Sequence, residues 1–128
     1  MLLDLEGQIA VLYLGEFRMK PKSFIPETYE DDKRFIRDKS TGLIWHRCEN
    51  RTLYADTDRS NVVYHSNYLR YFEFGRASLM RDVAYPYKEV EDSGFVYPII
   101  CLGIDFHKSL FYDDPMYVHT RPTDLERV

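Results

Sequence analysis

Cysteine is scarce in this chain. Its 128 residues hold two, Cys48 and Cys101, far apart and in no CxxC pair. Two scattered cysteines make no zinc pattern and no disulfide framework, so free thiols in a reducing cytoplasm are expected. Long apolar runs are missing too. No stretch approaches the roughly 20 residues of a membrane-spanning helix. There is no run of basic residues, and the formal charge is −4. Nucleic acid and anionic membranes are therefore poor partners on electrostatic grounds. The opening residues, Met1-Leu2-Leu3-Asp4-Leu5-Glu6-Gly7, are acidic and lack the positive segment that begins a secretory signal.

What the chain does have is apolar and aromatic mass. Hydrophobic residues make up 45% and aromatic residues 16%. That excludes disorder, which needs far fewer apolar residues, and the length suits one compact domain with a real core.

Gly7–Glu16 reads as a short, buried strand. Pro21 and Pro26 then argue against regular structure. Residues 27–39 are dense in charge, which predicts a solvated linker or a short surface helix. Residues 43–54 form a strand candidate that ends at two aspartates. Over residues 66–83, Tyr68, Leu69, Phe72, Gly75, Arg76, Leu79, Met80 and Val83 recur at helical spacing. Gly75 costs such a helix roughly 1 kcal/mol, which points to close packing against a sheet. Residues 95–110 alternate with period two and predict a long strand. Residues 116–121 alternate again, until Pro122 ends the strand.

The most informative run is residues 54–76. A strand end carries Asp56 and Asp58, a tight loop follows, and an aromatic-rich helix begins. The first N–H groups of a helix lack partners, and the helix dipole is positive there. A carboxylate close to such donors suits acyl transfer. By spacing alone Asp58 is better read as an ordinary helix cap or Asx turn, because Asp is common there.

The same run resembles the signature of the 4-hydroxybenzoyl-CoA thioesterase-like hotdog family, and most closely the bacterial acyl-CoA thioesterases associated with the Tol–Pal system. Asp56, Asp58, Val62, Val63, Tyr64, His65, Tyr68, Glu73 and Arg76 carry the resemblance. One departure is Asn61, which stands where the family has glycine. Asn is the next most tolerant residue of a left-handed backbone, so the loop can keep its shape.

The resemblance implies an α+β fold, an antiparallel sheet wrapped around one long helix. It also implies a thioester hydrolase with no metal and no prosthetic group, coenzyme A being part of the substrate. Asp58 would be the catalytic carboxylate, as nucleophile or as the base that activates water. The backbone N–H groups of Tyr64 and His65 would polarise the thioester oxygen. The His65 side chain would bind substrate or orient water, or sit as a surface group. Asp56 would hold the turn by accepting loop amides. Val63, Tyr68 and Glu73 are the expected substrate contacts. Glu73 is also the reserve catalytic carboxylate, against an intrahelical pair with Arg70 or Arg76. Tyr64, Tyr68, Tyr71 and Phe72 would line an acyl pocket or simply fill the core. Lys20, Lys22, Lys33 and Arg34 would meet coenzyme A phosphates or stay solvated.

The expected partners are an acyl-CoA or acyl carrier protein thioester and further copies of the chain, as a homodimer or homotetramer in the cytoplasm. A family member would continue past residue 128 with at least two more strands. Residues 7–27, in contrast, resemble the last strand and Pro-containing tail of such a domain. Residues 1–42 thus read as the end of a preceding repeat plus a charged linker, and residues 43–128 as the first part of a hotdog domain. The chain is then either an excerpt of a tandem protein or a permuted domain in which residues 7–15 fill the last-strand position. In the tandem case it could be a non-catalytic half that binds an acyl ligand or acts as scaffold.

Overall fold

In chain order, the computed structural model describes residues 2–5, 8–13, 24–99 and 101–122. Two N-terminal strands, β1 (Leu2–Leu5) and β2 (Gln8–Tyr13), form a hairpin. Next come β3 (Pro26–Thr28), β4 (Phe35–Asp38) and β5 (Ile44–Arg51). Two 3-10 turns, Tyr54–Asp56 and His65–Asn67, flank the loop of interest. The long helix α1 (Tyr68–Asp82) and the short α2 (Tyr87–Asp92) follow. Strands β6 (Gly103–Asp105) and β7 (Pro115–Thr120) complete the described elements. The strands join one sheet in the order β3-β4-β5-β7-β1-β2-β6, with antiparallel pairing at every border.

Helix α1 forms because its apolar residues fall on one stripe. Tyr68, Tyr71, Phe72 and Gly75 are buried at i, i+3, i+4 and i+7. This stripe lies on β5 and β7. At Gly75 the approach is closest: a Cβ there would stand 2.3 Å from Val118 Cγ1 and 3.0 Å from Thr120 Oγ1. The expected close packing is therefore real, and only the missing side chain allows it. The core around it comprises Val63, Tyr68, Tyr71, Phe72, Leu110, Met116 and Val118. Strand β7 is buried on both faces. Met116, Val118 and Thr120 face the helix side, while His119 packs under the Phe24 ring on the other, with ring centroids 4.9 Å apart.

Three expectations need correction. The charged segment 27–39 is neither linker nor helix; it contains most of β3 and all of β4. Ile36 is fully buried there, and the Asp38 carboxylate is enclosed by donors from Ile25 N, Ser40 N, Ser40 Oγ and Thr41 Oγ1. Pro26 does not break the structure. It opens β3, an edge strand, where a missing N–H is tolerated.

The long strand expected over residues 95–110 shrinks to Gly103–Asp105. Alternation makes a strand only where a neighbour offers backbone partners, and β2 offers them along three residues. Upstream, Phe95, Val96, Tyr97 and Ile99 are all more than half exposed.

The N-terminal strand is β2, accompanied by β1, which the sequence pattern did not reveal. Gly7 and residues 14–16 of the expected strand lie outside the described residues, as does Pro21. The hairpin enters the sheet between β7 and β6, so residues on both sides of position 42 share one sheet.

Candidate active site

The loop between β5 and α1 is held by its own backbone. A bridge joins Thr57 to Val63, and Tyr64 N donates to Asp56 O at 2.9 Å. Within this narrow loop Asp58 N donates to Val62 O and Asn61 N donates to Asp58 O, both at 2.9 Å. The turn requires a left-handed residue at position 61, and Asn61 supplies it with φ 61°. Asn has thus taken the expected glycine's conformation.

Asp58 sits half-buried at the tip of this turn. Its Oδ1 accepts Ser60 N at 2.7 Å, an Asx turn. Among the described residues its Oδ2 accepts no hydrogen bond, so one carboxylate oxygen remains available. Asp58 does not stand immediately before α1, as the spacing predicted. The loop folds back first, and the 3-10 turn His65–Asn67 leads into the helix.

Asp56 is the structural member of the pair. Its side chain is 2% exposed and has three donors: Leu53 N at 3.1 Å, Arg70 Nη1 at 2.9 Å and the Tyr71 hydroxyl at 2.6 Å. The expected loop amides are thus a single one, and two side chains of α1 do the rest. Burial first, and the neighbouring carboxylate second, push the Tyr71 hydroxyl well above its ordinary range, so it stays a donor. The Asp56 carbonyl also accepts Asn67 Nδ2 at 2.9 Å.

The Tyr64 amide is engaged by Asp56 O and is not a free polarising donor. In the 3-10 turn that follows, Asn67 N donates to Tyr64 O, while His65 N and Ser66 N make no bond to loop carbonyls among the described residues. These two are the unpartnered first-turn amides that a helix start leaves behind. The His65 and Tyr64 rings are both exposed and lie 4.2 Å apart.

Val63 and Tyr68, expected as substrate contacts, are core residues at 4% and 3% exposure. The Tyr68 hydroxyl accepts Leu110 N at 3.2 Å, and its ring meets Phe106 edge-on at 5.1 Å. Tyr71 and Phe72 are core as well. Glu73 lies exposed on α1, and the expected pair with Arg70 or Arg76 does not form. Arg70 binds Asp56, and the Arg76 guanidinium sits 5.4 Å from the Tyr87 ring centroid. Arg34 binds Asp32 and Asp82, and Lys33 is exposed; Lys20 and Lys22 lie outside the described residues.

Other residues at the loop escaped the sequence reading. Phe111 bridges Val62, and Tyr112 meets the exposed Tyr54 edge-on at 5.7 Å. Their signal was weak because the turn after residue 110 is distant in sequence. A recess of about 220 Å³ opens between β5 and α1, floored by Asp56 and walled by Asn50, Arg51, Arg70 and Phe74. Asp58 does not line it. Among the described residues no three His, Cys, Asp or Glu side chains gather as a metal site.

Comparison with known proteins fits this geometry. Residues 52–127 match the family model of the Thioesterase-like superfamily. YneP of Bacillus subtilis, provisionally named an acyl-CoA thioesterase, is 39% identical over 67 residues, which are 52% of this chain and 49% of that protein. The acyl-CoA thioesterase YbgC of Haemophilus influenzae is 30% identical over 77 residues, 59% of this chain and 57% of that protein. The chain thus spans only about half the length of these relatives. Among solved structures, a DHNA-CoA thioesterase from Staphylococcus aureus superposes with a TM-score of 0.62 at 30% identity, covering 65% of this chain and 56% of that one. A hypothetical protein from Aquifex aeolicus gives 0.61 at 34% identity, covering 63% and 66%. With an antiparallel sheet packed on one long helix and a family match over more than half its length, the chain belongs to the thioesterase-like superfamily of hotdog folds.

Proposed function

We propose that this chain hydrolyses a thioester of the acyl-CoA type, with Asp58 as its working carboxylate. The observation that carries this reading is the free Oδ2 of Asp58 at the tip of a backbone-locked turn, in a loop tied to a helix start with unpartnered amides. Water adds to the thioester carbonyl, the C–S bond breaks, and a carboxylic acid and a thiol leave. Asp58 takes the proton of the attacking water, or attacks the carbonyl itself and is then released by water. The oxyanion is met by the His65 and Ser66 amides rather than by Tyr64.

The exposed rings of Tyr64, Phe111 and Tyr112 flank the loop and offer an apolar surface to an acyl group. Coenzyme A enters as part of the substrate, and acyl carrier protein is an alternative carrier. In this reading a second copy of the chain covers those rings, as a homodimer or a pair of dimers, and the protein works in the cytoplasm. No helix among the described residues is long and apolar enough to cross a membrane.

One observation favours a second reading, in which the chain binds an acyl ligand without turnover as half of a tandem protein. Asp58 Oδ1 is already engaged by Ser60 N, as in an ordinary turn. Thiol release from a panel of acyl-CoA thioesters by the purified chain separates the two. Turnover above the buffer rate with any of them supports hydrolysis. Saturable acyl-CoA binding without thiol release supports the ligand-binding half.

A further inference from the structure

The first two strands in sequence lie inside the sheet, one place in from its β6 edge. Strands β1 and β2 lie between β7 and β6, which come last among the described strands. Strand β6 has β2 as its one sheet neighbour among the described residues, so it joins the sheet through the N-terminal hairpin alone. The outer borders of the hairpin are short. Leu2, Leu3 and Asp4 pair with His119, Val118 and Tyr117, and Val11, Leu12 and Tyr13 pair with Asp105, Ile104 and Gly103. The border between β5 and β7 is twice as long, running from His46↔Thr120 to Arg51↔Pro115. The hairpin is thus a self-paired unit set into a gap and held there along two three-residue edges.

The covalent connection leaves it room. Five strand positions separate β2 from β3 in the sheet. At the usual strand spacing that is about 24 Å. Residues 14–25 join them, and a dozen extended residues reach roughly 40 Å. A connection of that length does not by itself dictate which sheet the hairpin enters.

We infer that the gap between β7 and β6 is a docking slot for a β-hairpin, and that the β1–β2 hairpin is exchangeable between copies of this chain. The slot matters for the loop described above. From β6 the chain runs to Phe106, which packs on Tyr68, and to Leu110, whose carbonyl accepts Val63 N at 2.8 Å. Phe111 then bridges Val62. An empty slot leaves β6 without a neighbour and loosens the segment after it, whose Leu110 and Phe111 back the Asp58 loop. This inference rests on the strand order and holds whether or not the chain is an enzyme.

The test starts from the full chain with a site-specific protease sequence placed within residues 16–20. After cleavage, an excess of isotope-labelled peptide of residues 1–16 is added, and the complexes are weighed by native mass spectrometry. The cut hairpin is expected to stay bound without its covalent link, and the labelled peptide to replace it, one per chain. A peptide carrying Leu3→Pro and Val11→Pro lacks ladder donors on strands paired on both sides and should not bind. When the hairpin is bound, amide exchange at Ile104 should be at least about tenfold slower than when it is absent. Four results overturn the inference: the hairpin leaves while Ile104 stays protected, the original hairpin never exchanges, the proline peptide exchanges equally well, or the cut chain precipitates and the wild-type peptide fails to keep it soluble.

Discussion

The Tyr71 hydroxyl donates to the Asp56 carboxylate across 2.6 Å, from the buried face of α1 to the foot of the Asp58 loop. Arg70 holds the other carboxylate oxygen at 2.9 Å. Consecutive helix residues thus grip both oxygens of one buried side chain, whose own carbonyl accepts Tyr64 N and Asn67 Nδ2. The position of the helix and the shape of the Asp58 turn are set by the same residue.

Removing the Tyr71 hydroxyl tests that coupling. Tyr71→Phe leaves Asp56 Oδ2 with Leu53 N alone and should cost about 1–3 kcal/mol of stability, the usual penalty for a buried acceptor losing a donor. Urea unfolding measures it. A change within about 0.5 kcal/mol, the range of neutral surface substitutions, would show that the grip is not needed.

Gly75→Ala sets two effects against each other. Alanine favours a helix over glycine by roughly 1 kcal/mol. The added Cβ would, however, stand 2.3 Å from Val118 Cγ1, so helix or strand must move. Overpacking of this kind costs about 1–3 kcal/mol, and a net loss of stability is expected. A variant that melts higher than the wild type would mean that β7 yields freely.

How much of this was legible in sequence depends on the length scale. Helix α1 and β7 were readable because their periodicity is local, and Gly75 announced the close approach to the sheet. Asn61 was readable because few residues adopt a left-handed turn. The folded-back course of the Asp58 loop was not, since it depends on the Thr57↔Val63 and Val62↔Phe111 bridges. Tyr64 looked like a polarising amide by its spacing from the helix, but its N–H is taken by Asp56 O. Strands β3 and β4 were hidden by charge. What they bury is Ile36 and the donor-ringed Asp38 carboxylate. The apolar alternation over residues 95–110 overstated β6, because a strand extends only as far as its neighbour does.

Buried His119 gives the fold a defined acid sensitivity. Burial, with Arg47 and His46 nearby, lowers its pKa from 6.5 to about 3. In the unfolded chain it takes up a proton at its ordinary pKa, so the unfolded state binds more protons between those values. Stability should therefore fall as pH drops from about 6.5 toward 3, by up to about 2–3 kcal/mol between pH 6.5 and 4.5. His119→Gln should be less stable at neutral pH but lose much less over that interval. Equal losses in both proteins would assign the sensitivity to other groups.

Glu73→Gln should leave both stability and turnover nearly unchanged, within about 0.5 kcal/mol for stability. Glu73 is exposed, and among the described residues it has no ion-pair partner. Loss of turnover in this variant, with Asp58→Asn still active, would move the catalytic role to the helix carboxylate.

The most direct test of the account is Asp58→Asn. Asparagine keeps an acceptor for Ser60 N and suits the same Asx turn, so melting behaviour should match the wild type. What it lacks is a carboxylate. Thioester turnover, followed as thiol release, should drop at least about a hundredfold, the lower end of what a general acid–base group supplies. A folded Asp58→Asn protein with wild-type turnover would contradict the assignment of Asp58 as the working carboxylate.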